Sequence, residues 1–306
     1  MISTPEYEVI VVTKENFELR ENEYLGTKDK FWFKHENLDY LYKQARSNIG
    51  EDWAEKVAAE LCEILGIPHA EYELAETWEG KRGVASLKFL QEKAGEALVN
   101  GNELLAAIVP NYNTSATYGA SQHTIDVMLK ALGNESIKLP PAWTAPSTIK
   151  TAVDVFAGYL LLDAWIGNGD RHHENWGVIS KKMMPAATET IYLAPTYDHA
   201  SSLGRELSDV KRQKCLVEAY ANNCYSAFYR SNGDSKTLRT CEVFTYVAQI
   251  YPKAANVWLD RLESISTAKI AEIFNCIPSS RISHIAIDFA QKILEYNQRR
   301  LLNLKE

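Results

Sequence analysis

The spacing of hydrophobic positions along the chain changes near residue 90. Before this point, short apolar runs of strand length alternate with turn residues, and one helical pattern lies among them. The strand-like runs are YEVIVV (7–12), DKFWFK (29–34), AEYELAETW (70–78) and GVASLKFL (83–90). The first part of the chain is therefore predicted to be a small sheet with one helix.

After residue 90 the hydrophobic positions mostly recur at helical spacing. The predicted helices span 147–166, 207–229, 238–251, 254–264 and 282–304. One interruption consists of two strand-like runs, 175–180 and 189–199, joined by a polar connection and typical of a hairpin. The sequence thus predicts an α+β fold with two lobes. A small β-rich lobe with one helix spans 1–90, and a larger, mainly helical lobe spans 91–306.

The helix of the first lobe carries an acidic residue among apolar neighbours. At about 100° per residue, the residues that follow Trp53 at helical spacing form one apolar stripe, and Glu55 shares a second stripe with Ala59 and Cys62. An acid near a helix start is also favoured simply by the helix dipole. Glu60 falls inside the Trp53 stripe and competes with Glu55 for any functional role.

Lys34 poses a similar choice in the run DKFWFKHEN. Strand alternation places Lys34 on the same face as Trp32. A lysine on a strand usually lies at the surface, with its stem along its neighbours. A functional lysine at this position needs an anion to contact, so the pattern by itself leaves both interpretations open.

Composition narrows the class of protein. Of the 306 residues, 46% are hydrophobic, which is enough for a large core, and no run reaches the roughly 20 apolar residues of a membrane span. The net charge of -7 argues against a sequence-independent grip on nucleic acid, which needs a dense basic face. The five cysteines form no CxxC pair, and the first residues do not look like a secretory signal. We expect free thiols, no membrane anchor and a reducing compartment, most simply the cytoplasm.

A dense polar loop, residues 167–175 with the sequence GNGDRHHEN, follows the most apolar predicted helix. A zinc site is disfavoured, because His172 and His173 are adjacent and lack the spacing that lets two imidazoles converge on one metal. A metallophosphoesterase is disfavoured too, because its D-x-H motif follows a strand early in an α/β chain, whereas this loop follows a helix.

Phosphoryl transfer explains the polar loop better. The predicted hairpin after the loop turns back on itself and brings Asp198 close to Asn175 and Asp170. Phosphoryl transfer uses a carboxylate that accepts a hydroxyl proton, together with oxygen ligands that hold magnesium on the nucleotide phosphates. A polar loop that only satisfies its own backbone explains each of these residues singly, but explains the three together poorly.

These residues carry a family resemblance. The runs NGDRHHENWGVI (168–179) and APTYDHASSLG (194–204) resemble the catalytic core of the HipA-like Ser/Thr kinases, which are related in this region to the phosphatidylinositol kinases. The resemblance extends to the helix region 50–74 and to the strand 29–34, and so covers most of the chain. It implies a two-lobed fold similar to that of protein kinases.

The resemblance also implies roles for five residues. Asp170 is the implied catalytic base, and Asn175 and Asp198 are the implied Mg²⁺ ligands. Lys34 is implied to contact the phosphates of ATP, with Glu55 as the partner that orients it.

Further expectations concern the nucleotide. The run LGTKDK (25–30), with Gly26, is implied to cover the phosphates through its backbone N–H groups, and Thr27 is the implied autophosphorylation site in this loop. The run 83–90 is implied to lead to a hinge where the backbone near Phe89 and Leu90 meets adenine.

The chain also departs from the family. The sequence is expected to begin almost directly at the nucleotide lobe, without the extra N-terminal subdomain of the longest members, so it resembles the short ones. Glu174 stands where some relatives have lysine, so a phosphate-contacting cation must come from elsewhere, and Arg171 is one candidate. Asp163 and His172 are expected to order the polar loop rather than to take part in the chemistry.

The resulting functional hypothesis is an ATP- and Mg²⁺-dependent protein Ser/Thr kinase. The resemblance implies a toxin of a toxin–antitoxin system, acting on an aminoacyl-tRNA synthetase and held by an antitoxin, or by a separate protein that supplies the missing subdomain. A lipid kinase and a pseudokinase that only binds are the alternatives. A secreted effector is the alternative to a cytoplasmic enzyme.

Overall fold

The computed structural model describes residues 5–19, 21–22, 29–183 and 188–305. Up to residue 90 the elements are β1 (Val9–Val12), α1 (Lys14–Glu18), β2 (Glu21–Asn22), β3 (Lys30–His35), β4 (Leu38–Gln44), α2 (Glu51–Leu65), β5 (Tyr72–Thr77) and β6 (Arg82–Leu87). The six strands form one sheet in the order β1-β5-β6-β4-β3-β2. Only β1 and β5 pair in parallel among the strand pairs described in this sheet. The four predicted strands and the predicted helix are all present.

The strands β3 and β4 form a hairpin whose second strand the hydrophobic pattern did not identify. Its two turn residues, Glu36 and Asn37, have φ values of 49° and 66°, as in a type I′ turn, which matches the twist of the flanking strands. Lys34 pairs with Asp39 next to the turn, whereas Lys43 lies far from the turn and pairs with Lys30. The two lysines therefore lie at opposite ends of the hairpin.

The longer helix of this part, α2, packs against the sheet and also against later helices. Its neighbours in the sheet are β5 and β6, in agreement with the apolar stripe of Trp53, which is buried together with Val57 and Leu61. Glu55, on the second stripe, is buried as well.

Helices dominate the rest of the chain. The elements after residue 90 are β7 (Glu96–Asn100), α3 (Gly101–Ala106), α4 (Ile125–Leu132), β8 (Ile137–Lys138), α5 (Ala152–Ile166), β9 (Gly177–Met183), β10 (Thr188–Leu193), α6 (Asp209–Lys214), α7 (Val217–Asn222), β11 (Tyr225–Tyr229), β12 (Thr237–Arg239), α8 (Thr240–Ile250), α9 (Pro252–Glu263), α10 (Thr267–Asn275) and α11 (His284–Leu302). The predicted hairpin is β9 and β10, which pair antiparallel within a sheet of order β7-β9-β10-β8.

The prediction of one long helix over 207–229 is wrong. The structure has two short helices, α6 and α7, followed by the strand β11. Two consecutive asparagines, Asn222 and Asn223, end α7, and asparagine is a poor helix former. The run Tyr225–Tyr229 that follows is rich in aromatic residues, which favour strands.

The helix α5 lies at the centre of the second part. It is apolar on all sides, as expected for a fully buried helix, and it packs against α8, α9 and α11. A capping box between Thr151 and Asp154 begins the helix, and Gly167, with φ 68°, ends it. In the described part of the chain, no helix has both the length and the apolar character needed to cross a bilayer.

Candidate active site

A buried ion pair anchors the polar loop (167–175) to the last turn of α5. Arg171 Nε and Nη2 donate to the two carboxylate oxygens of Asp163 at 2.8 and 2.7 Å, and Asn168 Nδ2 donates to the same carboxylate at 2.8 Å. All three side chains are buried. Asp163 therefore orders the loop through hydrogen bonds.

The guanidinium of Arg171 also joins the two segments that carry the candidate metal ligands. Its Nη1 donates to the backbone carbonyl of Asn175 at 3.0 Å and to that of Tyr197 at 3.3 Å. Burial acts to lower the pKa of Arg171, but the negative charge and hydrogen bonds of Asp163 outweigh it and raise the pKa. Because Arg171 is buried and fully engaged in these contacts, the structure does not place it where a phosphate could reach it.

Asp170 lies in the middle of the polar loop with 26% of its side chain exposed. Tyr118 Oη donates to Asp170 Oδ1 at 3.0 Å, and Ser201 Oγ donates to Oδ2 at 3.2 Å. His172 Nε2 lies 3.8 Å from Oδ1. A general base must lie within hydrogen-bond distance of the hydroxyl group whose proton it accepts. The carboxylate of Asp170 meets this condition, because it already accepts hydrogen bonds from two hydroxyl groups.

Asn175 and Asp198 carry an amide oxygen and carboxylate oxygens, and the contacts of Arg171 hold their two segments together. Asn175 Nδ2 donates to the backbone carbonyl of Asp170 at 2.7 Å, which leaves the amide oxygen for another partner. Asp198 has a φ of 61°, in the left-handed region that aspartate adopts more readily than most residues other than glycine. Mg²⁺ usually takes only one or two protein oxygens and fills its other positions with phosphate and water. The donor set of one amide and one carboxylate therefore fits Mg²⁺.

A largely buried lysine that the sequence pattern did not indicate completes the group. Lys43, on β4, is 11% exposed, and its Nζ lies 3.6 Å from Asp198 Oδ1 and 3.4 Å from Tyr72 Oη. Burial acts to lower the pKa of Lys43, but the charges of Asp198 and Glu55 and the contact with Tyr72 outweigh it, so the pKa is raised. Lys43 is therefore a cation in a position that suits a phosphate contact.

Glu55 projects from α2 toward the segment that follows Asp198. Its two carboxylate oxygens accept hydrogen bonds from the backbone N–H groups of His199, at 2.7 Å, and of Ala200, at 3.0 Å. Glu60, which competed with Glu55 in the sequence, instead forms an ion pair with Lys56 at 2.8 Å. Of the two acids, the structure brings Glu55 to the site.

The structure does not bring Lys34 to the site. Its Nζ donates to Asp39 at 2.6 Å across the hairpin, and 71% of its side chain is exposed. The expected pairing with Glu55 is thus absent, because the hairpin directs Lys34 toward solvent and Lys43 toward Asp198. The sequence does contain a signal for β4 and Lys43. It is the alternating run LDYLYKQ, which follows the turn residues Glu36 and Asn37.

The remaining nucleotide expectations fall into two groups. Phe89 is partly buried, and its ring stacks at 6.2 Å on that of Tyr197, the residue before Asp198, so it lies beside the site. Leu90 follows it in the same extended stretch, partly exposed. Gly26 and Thr27 lie outside the described residues.

Comparisons with known proteins bear on the fold. No protein-family model and no curated protein matches the sequence. Among solved structures, the chain is similar to the proinflammatory kinase CtkA of Helicobacter pylori, with a TM-score of 0.70 and 20% identity over 97% of each chain. It is also similar to HipA of a Shewanella oneidensis MR-1 toxin–antitoxin system, solved in a complex with HipB and operator DNA. There the TM-score is 0.53 and the identity 13%, over 93% of this chain and 64% of that chain. The chain therefore has the two-lobed α+β fold of the HipA-like kinases.

Proposed function

We propose that this chain is an ATP-dependent kinase of HipA type that transfers the γ-phosphate to a protein hydroxyl. The observation that carries the proposal is the partly buried contact of Lys43 with Asp198 beside the loop that holds Asp170 and Asn175. The guanidinium of Arg171 donates to the backbone carbonyls of Asn175 and Tyr197, and so holds together the two segments that carry the proposed metal ligands. A base, two oxygen ligands and a buried cation are the parts that phosphoryl transfer requires.

Asp170 is the proposed base. Its two carboxylate oxygens already accept hydrogen bonds from hydroxyl groups, so an acceptor hydroxyl can take the place of one of them. As the acceptor hydroxyl loses its proton, the carboxylate holds that proton and keeps the acceptor oxygen in line with the phosphate. The hydrogen bond from Asn175 to the Asp170 carbonyl fixes the backbone at this point.

Asn175 and Asp198 are the proposed holders of Mg²⁺, through one amide and one carboxylate oxygen. When bound, the metal neutralises charge on the phosphates during transfer. Lys43, in the role that the sequence analysis gave to Lys34, contacts the phosphates from the sheet side. Glu55 positions Asp198 by holding the two N–H groups that follow it.

The nucleotide base is proposed to lie between the two lobes, near Phe89 and Leu90. We place the boundary between the lobes in the stretch from Leu87, where β6 ends, to Glu96, where β7 joins the second sheet. Phe89 stacks beside Tyr197, so a base at this position is within reach of the residues before Asp198.

The acceptor and the partner are finer parts of the proposal. We favour a protein acceptor over a lipid, because the net charge of -7 does not suit an anionic membrane surface. A toxin role with an aminoacyl-tRNA synthetase as its target is one form of this proposal. The solved HipA neighbour is bound to HipB and DNA, which supports a protein partner of that kind for this chain. The cysteines are all free thiols, which favours the cytoplasm.

Radiolabel transfer tests the proposed activity. The chain is incubated with γ-labelled ATP and either a mixture of bacterial proteins or vesicles that contain phosphatidylinositol, with Mg²⁺, Mn²⁺ or EDTA. We expect label on protein only with a divalent metal. Label on lipid alone would replace the protein acceptor by a lipid one, and no transfer to any acceptor would contradict a kinase function.

A further inference from the structure

Tyr118 combines an exposed ring with a hydroxyl group that is held in the candidate site. The residue is 72% exposed, among the most exposed large side chains in the described part of the chain. Its Oη nevertheless donates to Asp170 Oδ1 at 3.0 Å, and its ring meets that of His172 edge-on at 5.7 Å. Tyr118 therefore reaches the proposed base from the solvent side.

The segment that carries Tyr118, residues 113–122, is docked on the polar loop by a few side-chain contacts. It contains no helix or strand. Thr117 Oγ1 donates to Glu174 Oε2 at 3.3 Å, and Asn102 Nδ2 donates to the carbonyl of Thr114 at 3.1 Å. The segment is held at its far end by other contacts, such as that of Ser121 Oγ with Asn232 at 3.1 Å, but two hydrogen bonds, from Thr117 and Tyr118, join it to the polar loop. Release from the loop therefore breaks few hydrogen bonds.

We propose that Tyr118 is a phosphorylation site of the chain itself. Its hydroxyl stands at the acceptor position of the kinase site, and the Tyr118 segment (113–122) covers Asp170 until that hydroxyl is modified. This inference rests on the proposed function. It assigns the first acceptor to the phenol class and places it in the same molecule as the base.

The reaction balances with ATP as the only co-substrate. Tyr118 Oη forms a bond to the γ-phosphorus, and the bond between that phosphorus and the oxygen bridging to the β-phosphate breaks. The phenol proton passes to the Asp170 carboxylate, and ADP leaves with the electron pair of the broken bond. The proton path already exists as the 3.0 Å hydrogen bond.

Although the ring of Tyr118 is exposed, desolvation of its hydroxyl group and the negative charge of Asp170 raise its pKa to about 12. The phenol, like any tyrosine, is protonated near neutral pH, and it donates to the carboxylate, which is the polarity that base catalysis needs. The raised value thus agrees with the geometry of an acceptor bound to its base.

Ser201 is the competing hydroxyl on the same carboxylate. Its Oγ also accepts a hydrogen bond from Arg205 Nη2 at 3.0 Å, and it lies three residues after Asp198, inside the site. Ser201 is therefore held between the base and a cation on the inner side. Tyr118 comes from an exposed segment on the outer side, from which an external acceptor must also enter.

Modification of Tyr118 has a direct electrostatic consequence. A phosphate group adds about -1.5 to -2 charges next to the carboxylate of Asp170, and like charges repel at this distance. The modified side chain therefore leaves Asp170, and the Tyr118 segment leaves the polar loop with it. The acceptor position then becomes accessible to another protein.

Phosphosite mapping of the full chain tests the inference. The chain is incubated with Mg-ATP at several protein concentrations, and phosphate is located by mass spectrometry of peptides. We expect Tyr118 to be modified first, at a rate per molecule that does not depend on protein concentration. Tyr118→Phe removes this phosphate, whereas Tyr246→Phe retains it. Tyr246 is a matched control because its hydroxyl also donates to a surface carboxylate, that of Asp126, at 2.6 Å.

A second readout needs no nucleotide. Hydrogen exchange of the amides in 113–122 is expected to be faster in Tyr118→Phe than in wild type or Tyr246→Phe, because the contact with Asp170 is lost. Phosphate on Ser201 or Thr27 but never on Tyr118, in a chain that transfers phosphate, would overturn the inference and leave the proposed function intact. No transfer to any acceptor would overturn both.

Discussion

At the scale of single residues, two lysines of one hairpin differ in their surroundings, and only one of them is proposed to contact the nucleotide. Lys43 is 11% exposed and lies next to Asp198, whereas Lys34 is 71% exposed and lies next to Asp39. We predict that Lys43→Ala lowers the rate of phosphate transfer by roughly a factor of 100 or more, the typical cost of removing a group that stabilises developing charge. Lys34→Ala should keep the wild-type rate. A transfer assay in which Lys34→Ala is slow and Lys43→Ala keeps the wild-type rate would contradict this prediction and would indicate that Lys34 contacts the phosphates.

A variant of Asp198, the proposed carboxylate ligand of Mg²⁺, tests the metal site separately from the proposed base. Asp198→Asn removes the charged oxygen donor while it preserves the shape of the side chain. We predict that ATP binding in the presence of Mg²⁺ weakens by roughly tenfold or more, since a lost contact to a charged group costs about 1.5–3 kcal/mol. Calorimetry with and without Mg²⁺ measures this effect, and Asp288→Asn, an exposed carboxylate on α11, serves as the control. An unchanged metal dependence would remove Asp198 from the metal site.

The local sequence allowed some of these residues to be predicted and not others. Asp170, Asn175 and Asp198 belong to a polar cluster at a helix end and to the hairpin after it, so their proximity follows from short-range topology. The position of Lys43 could not be predicted, because it lies on β4, a strand that the hydrophobic pattern did not identify. Tyr118 comes from a distant loop of small polar residues, and nothing in the spacing of that loop indicates a contact with Asp170.

At the scale of secondary-structure elements, the polar loop depends on the ion pair between Asp163 and Arg171. We predict that Asp163→Asn lowers the free energy of unfolding by about 3–5 kcal/mol, because it leaves the buried guanidinium without a counter-charge. The matched surface change is Asp288→Asn, whose partner Lys292 is more than half exposed. That change should stay within about 0.5 kcal/mol. Urea denaturation compares the two variants, and equal effects would contradict the anchoring role of Asp163.

A buried histidine links Trp176, the residue before β9, to β11, and its burial gives stability a dependence on pH. His123 Nε2 accepts a hydrogen bond from Trp176 Nε1 at 3.2 Å, and Nδ1 lies 3.1 Å from the carbonyl of Ala227. Burial lowers the pKa of His123 from 6.5 to about 3. Between these pH values the unfolded chain binds a proton that the folded chain does not, so stability is lost as the pH falls from 6.5 toward 3.

The variant His123→Gln isolates this effect. Wild type should lose up to about 1.4 kcal/mol of unfolding free energy per pH unit from this residue, and the variant should show a correspondingly shallower slope. Urea denaturation between pH 7 and 4.5 gives both slopes. Parallel slopes would show that His123 does not titrate on unfolding.

Elements with a strong period were predictable, and elements set by tertiary contacts were not. The helices α9 and α11 lie close to their predicted positions because their apolar spacing is regular over at least 12 residues. The helix α5 has no such period and was identified by its long apolar run instead. The segment 207–229 has apolar residues at helical spacing too. However, its final strand is fixed by contacts far away in the sequence, such as the hydrogen bond from Tyr229 N–H to the His123 carbonyl.

At the scale of the whole molecule, α2 belongs to the core of both parts of the chain. Glu51, at its first turn, contacts Arg205 at 3.1 Å, and Asp52 contacts the buried Arg281 at 3.0 Å. Burial raises the pKa of Asp52 although Arg281 opposes the shift. Glu55, also on α2, binds the segment that follows Asp198. Together, these contacts fix the sheet relative to the polar loop. The position of Lys43 relative to Asp198 is therefore a property of the whole fold.

In the proposed active site, Asp170 acts in the chemical step and not in nucleotide binding. The most direct test measures the rate of γ-phosphate transfer and the affinity for Mg-ATP in wild type and in Asp170→Asn, which keeps the size of the side chain. We predict a transfer rate lower by roughly a factor of 100 or more, as for the loss of a positioned base, with an affinity close to that of wild type. A variant that transfers phosphate at the wild-type rate would contradict the proposed active site.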